Sequence, residues 1–262
     1  WCLQRFVNLN RYIVSILFMP LDIAPNILIV IVVTSFIQSL FGVGVLLFGT
    51  PALLLQGYEF HHAIYVLLPV SLSINAIQII KDHQKVDWEF CKKILTYAIP
   101  FIVLFLMIVR SVSIDFGLAV GLLLLLVAIK DWFKVAENIV NMLMRYEKPY
   151  LAIMGSVHGL TNLGGPLLTA AVHLKGYEKR IARATVAAAY AMVAASQIGT
   201  LIASGYQPNT SVSTMGVYVG AGLAVFLVTE TAFYSDIKSD TYRKLFAVFL
   251  FIAGVSLCIK SL

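Results

Sequence analysis

Charge is what this chain of 262 residues has least of: Asp, Glu, Lys and Arg together make up 12% of it, about half the share usual in a soluble domain. Cysteine is scarce too. Cys2, Cys91 and Cys258 are odd in number and scattered, with no C-x-x-C pair, so neither a disulfide framework nor a thiolate metal site is signalled. H-E-x-x-H, G-x-S-x-G and an aspartate pair within an apolar stretch are all missing, which leaves a membrane hydrolase without its usual motifs. None of the thirteen acidic residues falls deep inside an apolar stretch, and Glu230 comes nearest. Cation carriers and proton pumps generally place a carboxylate there, so that class lacks its ligand. No cofactor, no metal and no enzymatic activity are expected.

What is present is apolar. Hydrophobic residues make up 60% and the mean hydropathy is +0.89. Several stretches approach or exceed the ~20 residues that span hydrocarbon as a helix. The chain reads as an all-α polytopic membrane protein. Its formal charge of +6 is then the loop excess of Lys and Arg that cytoplasmic sides carry, and no nucleic-acid partner is implied. The bilayer is an expected partner, and a homo-oligomer is left open. Residues 1–25 hold an apolar run, 13–19, that is too short to span and follows Arg5 and Arg11; it reads as interfacial rather than as a signal peptide. Since the first residue is Trp1 rather than Met, the expectation is that some of the original N-terminus is absent.

The organising stretch is 149–176. It is apolar enough for a bilayer, yet Gly164-Gly165-Pro166 breaks it beside His158, Thr161 and Asn162. A weaker copy lies at 26–55, interrupted by Gly42-Val43-Gly44 and later by Gly49-Thr50-Pro51. Further apolar stretches occupy 63–80, 94–109, 112–129, 184–203, 212–233 and 245–259, with charged loops expected at 81–93 and 130–148. The halves repeat in order. Gln56-Gly57-Tyr58-Glu59 matches Lys175-Gly176-Tyr177-Glu178 at an offset of 119, and Gln78-Ile79 matches Gln197-Ile198; with one residue of slippage Gln38 meets His158 and Gly42 meets Asn162. An ordered series of this kind indicates a duplication, with repeats at 26–130 and 149–262 and a linker at 131–148.

Lys and Arg counts choose the topology. If both broken stretches cross the membrane, the two sides hold eleven and eight basic residues; if each dips in and returns, they hold fifteen and four. The second arrangement obeys the positive-inside rule. It gives two inverted repeats, each a broken re-entrant helix hairpin followed by about three transmembrane helices, as in many secondary transporters. The returning half-helix then points its N-terminus, with free N–H groups and partial positive charge, at the hairpin tip. Two such ends facing each other make an anion site. Gly42, Gly44, Gly164 and Gly165 would admit a ligand close to backbone, and Pro166 suits a first helical turn.

Polar side chains gather where this arrangement needs them: Gln38 and Ser39 at one tip, His158, Thr161 and Asn162 at the other, and Asn75, Gln78 and Gln197 on the helices that follow. Each has a plainer reading as interhelical glue, and the lone Ser and Thr residues fit that reading better. Arg183 either snorkels to the cytoplasmic interface or faces the cavity and draws anions in.

The broken glycine-rich stretches FGVGVLLFGTP and HGLTNLGGPLL, the Gly-Tyr turns and the Ala182-Arg183-Ala184-Thr185 helix start resemble the sulfite exporter TauE/SafE family, also called the 4-toluene sulfonate uptake permease family. The resemblance runs from about residue 26 to 259. In the first half the family's glycine cluster is thinned to Gly42-Val43-Gly44, and the second keeps Gly164-Gly165 before Pro166. It implies movement of sulfur-containing anions, such as sulfite or organosulfonates, across a bacterial inner membrane. The expectation is a multi-pass inner-membrane secondary transporter working by alternating access. Its substrate-binding set is Gln38, Gly42, Gly44, Asn75, Gln78, His158, Thr161, Asn162, Gly164, Gly165, Arg183 and Gln197. The alternative is an anion channel or a facilitator for another small oxyanion or carboxylate.

Overall fold

A computed structural model describes residues 22–111, 116–129, 146–206, 210–233 and 239–261. The interfacial segment expected before residue 22 and most of the 131–148 linker lie outside the described residues. Everything described is helix or short connection, without a strand. In chain order the helices are α1 (Pro25–Phe41), α2 (Val45–Leu55), α3 (Phe60–Asp82), α4 (Trp88–Tyr97), α5 (Ile99–Ser111), α6 (Phe116–Ile129), α7 (Glu147–Thr161), α8 (Gly165–Leu174), α9 (Lys179–Ala203), α10 (Val212–Phe233) and α11 (Ser239–Ser261). Among the described residues, four stretches are long and apolar enough to cross a membrane: Phe60–Lys85, Trp88–Val109, Lys179–Ala203 and Val212–Thr231. Large apolar side chains such as Ile29, Ile80, Leu126, Ile202 and Val228 are exposed, as expected of a surface that faces lipid.

Both broken stretches are broken, and the reason is local. α1 ends on Gly42 at φ 77°, and α7 ends on Asn162 at φ 60°. Asn162 is the sole non-glycine with positive φ among the described residues, and asparagine tolerates the left-handed region because its short amide bonds locally. Three residues later the chain turns back as α2 or α8. Gly44 is glycine for a steric reason: a Cβ there would come within 2.7 Å of the Gln38 nitrogen and the Thr34 carbonyl oxygen.

Each hairpin returns to the place it left. The Tyr58 hydroxyl after α2 donates to Asn26 Oδ1 at the start of α1, at 3.0 Å. Lys175 after α8 pairs with Glu147 at the start of α7, at 2.8 Å. The two following helices, α3 and α9, run in opposite directions. Arg183, early in α9, meets Gln78 late in α3, whereas Tyr206, just past α9, meets His61 and Tyr65 early in α3.

Three details differ from expectation. The interruption expected at Gly49-Thr50-Pro51 does not occur: α2 runs through it with Pro51 inside, since one proline removes one intrahelical bond and need not end a buried helix. The charged loop expected over 81–93 shrinks to a 3-10 turn at His83–Lys85 and two residues beyond it. The apolar stretch 94–109 is the second part of a longer span that starts at Trp88 and is jointed at Ala98, where α5 resumes with Pro100 in its first turn. Asp87 ends the shortened loop by capping α4, its Oδ1 accepting from the Phe90 N–H at 2.9 Å.

Lipid supplies no hydrophobic drive between helices, so close backbone approach and interhelical bonds must hold them. Both devices appear twice. On α7, Gly155 and Gly159 lie against α5 so closely that a Cβ would come within 2.3 Å of the Ala98 carbonyl oxygen and 2.7 Å of that of Ile102. Their counterparts on α1, Ser35 and Ser39, face α10. There a Cβ on Gly222 would come within 3.0 Å of Ser35 Oγ, and Thr229 donates to Ser39 Oγ at 2.6 Å.

Asp87 also joins the halves. Its N–H donates to Thr185 Oγ1 at 3.0 Å and its Oδ2 accepts from the Tyr177 hydroxyl. Partial burial opposes ionisation, but Tyr177, the Phe90 N–H and Lys175 together hold the carboxyl below its ordinary value. A carboxylate depressed in this way stabilises the fold above its unfolded pKa, about 3.9, and that contribution is lost as pH falls through the lower folded value. Asp87→Ala is expected to cost about 1 kcal/mol through the cap alone, read as a lower thermal midpoint of the purified protein. The gap between wild type and Asp87→Asn should be constant from pH 8 to pH 5 and shrink below about pH 4; a gap unchanged down to pH 3 would show that the carboxylate is not what matters.

Candidate functional site

The two tips are sealed in matching ways. Four residues before each left-handed cap, a polar side chain reaches across the break to a backbone N–H. Gln38 Oε1 accepts from Val45 at 3.0 Å, and His158 Nδ1 accepts from Gly164 at 3.1 Å. Each also reaches sideways to the helix that follows: Gln38 Nε2 donates to Asn75 Oδ1 at 3.0 Å, and His158 Nε2 meets Gln197 Oε1 at 3.3 Å. A backbone N–H can only donate, so His158 Nδ1 is the acceptor and Nε2 carries the proton.

From each tip a network continues. At the first, Asn75 Nδ2 donates to Ser71 Oγ at 3.2 Å. Gln78, its amide turned to satisfy both neighbours, donates to Asn75 Oδ1 at 3.1 Å and accepts from Arg183 Nε and Nη2 at 3.1 and 3.2 Å. At the second tip, Gln197 Nε2 donates to Asn162 Oδ1 at 3.2 Å, and Asn162 Nδ2 donates to Thr50 Oγ1 at 2.8 Å. That last bond crosses from the second hairpin into the first. Gln38, Asn75, Gln78, His158, Asn162, Gln197 and Thr50 are all buried, where an unpaired polar group is costly. Their mutual bonding is what makes this polar centre tolerable.

Of the residues singled out from sequence, Gln38, Gly42, Gly44, Asn75, Gln78 and Arg183 meet at the first tip, and His158, Asn162, Gly164, Gly165 and Gln197 at the second. Thr161 does something narrower: its hydroxyl donates to the Val157 carbonyl and accepts from the Leu163 N–H, so it caps the break. Arg183 lies over the first tip. Its Nη2 donates to the Ser39 carbonyl at 3.3 Å, and its Cγ sits 3.1 Å from where a Cβ on Gly42 would be.

Sequence reasoning missed Thr50 and Tyr190 as parts of the site. A single threonine in an apolar helix gives no signal of a partner 112 residues away. Tyr190 packs its hydroxyl on Gly165, where an added Cβ would lie 1.8 Å from it; the glycine is required by the tyrosine. Gly165→Ala is expected to destabilise the protein by about 1–3 kcal/mol through overpacking. Adding Tyr190→Phe should restore most of the lost thermal midpoint, and a double variant no better than the single one would mean the clash lies elsewhere.

At the end of α3 and the start of α9, an open cavity of about 300 Å³ is lined by Lys81, Asp82, Arg180, Arg183, Glu230 and Thr231. Among the described residues no group of three or more His, Cys, Asp or Glu is placed to hold a metal ion. A family model described as Sulfite exporter TauE/SafE matches residues 27–257. No curated protein and no solved structure matches the chain.

Proposed function

The chain belongs to the sulfite exporter TauE/SafE family, and from that premise we propose that it is a secondary transporter moving a small sulfur-containing anion, an organosulfonate or sulfite, across the inner membrane by alternating access. The observation that carries this reading is the pair of hairpins. Each returns to its own starting place, through Tyr58–Asn26 and through Glu147–Lys175. The helices after them, α3 and α9, run in opposite directions. Repeats so arranged favour inverted topology, with hairpins dipping in from opposite faces and tips meeting near the midplane. Lys93, Lys175, Lys81 and Arg183 all join ion pairs at the same end of the bundle as Asp87, which supports that end as the cytoplasmic one.

The anion would rest between the tips. Backbone at Gly42–Gly44 and Gly164–Gly165 would lie against it, and the starts of α2 and α8 would turn their partial positive charge toward it. Gln38, Asn75, Gln78, His158, Asn162 and Gln197 would donate, with Arg183 supplying a full charge on one side. In the state described these groups are bonded to one another, which is a closed arrangement. Opening toward either face would exchange those bonds for bonds to the cargo, so the polar groups are never left bare in the bilayer.

Counterflow in proteoliposomes tests the mechanism: internal unlabelled isethionate or sulfite is expected to accelerate uptake of the labelled anion. A continuously conducting channel would show no such trans-stimulation. For the site, Asn162→Leu and Gln78→Leu are each expected to abolish measurable calorimetric binding of an organosulfonate. Wild-type affinity in both, with the fold intact, would remove the tips from the binding site.

A further inference from the structure

We propose that the open cavity at the charged end is a docking site for a small oxyanion, in which the Glu230 carboxylate stands in for the cargo and latches Arg183 over the first hairpin tip. The inference rests on the anion-transport reading above and adds to it a second stop and a gate.

The cavity gathers three cations from two helices, Lys81 of α3 and Arg180 and Arg183 of α9. Glu230 comes from a third helix, α10, and divides its oxygens between two of them. Its Oε2 lies 2.5 Å from Lys81 Nζ and its Oε1 3.0 Å from Arg183 Nη2. The other acidic group, Asp82, is occupied by Lys85 at 2.6 Å. Two oxygens bridged by an ammonium and a guanidinium are the arrangement a sulfonate or sulfite would take up in the same place, and about 300 Å³ leaves room for one.

The pairing is also mechanical. Glu230 and Arg183 are only 14% and 13% exposed, so their attraction is screened less than that of a surface pair. The same Arg183 reaches the Ser39 carbonyl, lies on Gly42 and donates to Gln78. One residue before Glu230, Thr229 bonds Ser39 itself. While Glu230 holds Arg183, α10, α9 and the first tip are fastened together and the stem of Arg183 covers Gly42. An anion that takes the place of Glu230 between Lys81 and Arg183 releases α10 and leaves Arg183 free to carry it toward the tip.

The test is a titration of full-length protein in detergent with neutral lipid at low ionic strength, using isethionate and, separately, sulfite. Glu230→Gln removes the competing charge and keeps the shape, and is expected to tighten anion binding about tenfold. Glu230→Asp, which keeps the charge and shortens the reach, is expected to show an intermediate gain and guards against a variant that fails to fold. Adding Arg183→Gln to Glu230→Gln should return affinity to the wild-type value or weaker. If Glu230 were merely a structural brace, Glu230→Gln would lower the thermal midpoint and leave affinity unchanged; that result, or weaker binding, overturns the latch. Phosphatidylglycerol vesicles supply a further arm, since loss of the isethionate response there would assign the cavity to lipid headgroups and also overturn it. Wild-type counterflow with affinity indifferent to Glu230 would sink the latch alone, whereas a wild type that neither binds nor moves either anion would sink the latch and the transport reading together.

Discussion

Everything in this architecture depends on keeping hydrogen bonds satisfied where water is scarce. A helix that stops at membrane depth exposes N–H and C=O groups, each costing several kcal/mol if left bare in hydrocarbon. The chain solves this with one side chain per break. Gln38 and His158 each sit four residues before the left-handed cap, bridge to the restarting backbone and lean on the following helix. Without those bridges the glycines and Asn162 would provide turns without making them affordable. With them, a polar centre can persist between apolar helices.

The halves achieve the same end with different chemistry. Gly42 and Asn162 fill the same left-handed position. Ser35 and Ser39 take on α1 the places that Gly155 and Gly159 take on α7, so one pair meets its partner helix through hydroxyls and the other through bare backbone. The first tip ends beside a full charge, Arg183, and the second beside neutral groups. The two sides of the centre are therefore alike in backbone and unlike in electrostatics. Lys260 adds a further asymmetry, donating to the Leu54 and Leu55 carbonyls where α2 ends.

Much of this was legible in the residues. The breaks, the Gly-Tyr turns and the pairing of Gln38 with His158 follow from glycine placement and an ordered repeat, because turns and caps are set by local chemistry. Helix starts were less legible. The end of α3, the cap at Asp87 and the joint at Ala98 were hidden because charged residues at a membrane interface read as loop while they continue as helix. Pro51 misled for a related reason: a proline signals a break, but a buried helix can absorb one. Long-range partners were not legible at all. Thr50 is one threonine among apolar residues, and Glu230 is separated from Lys81 by 149 positions; only the fold brings them together.

The second tip's neutrality has an electrical corollary. His158, Asn162, Gln197 and Thr50 form a chain of bonds in which no member bears a formal charge, His158 holding its single proton on Nε2. A membrane potential, worth about 2.3 kcal/mol per elementary charge per 100 mV, therefore does almost no work on any rearrangement of this network.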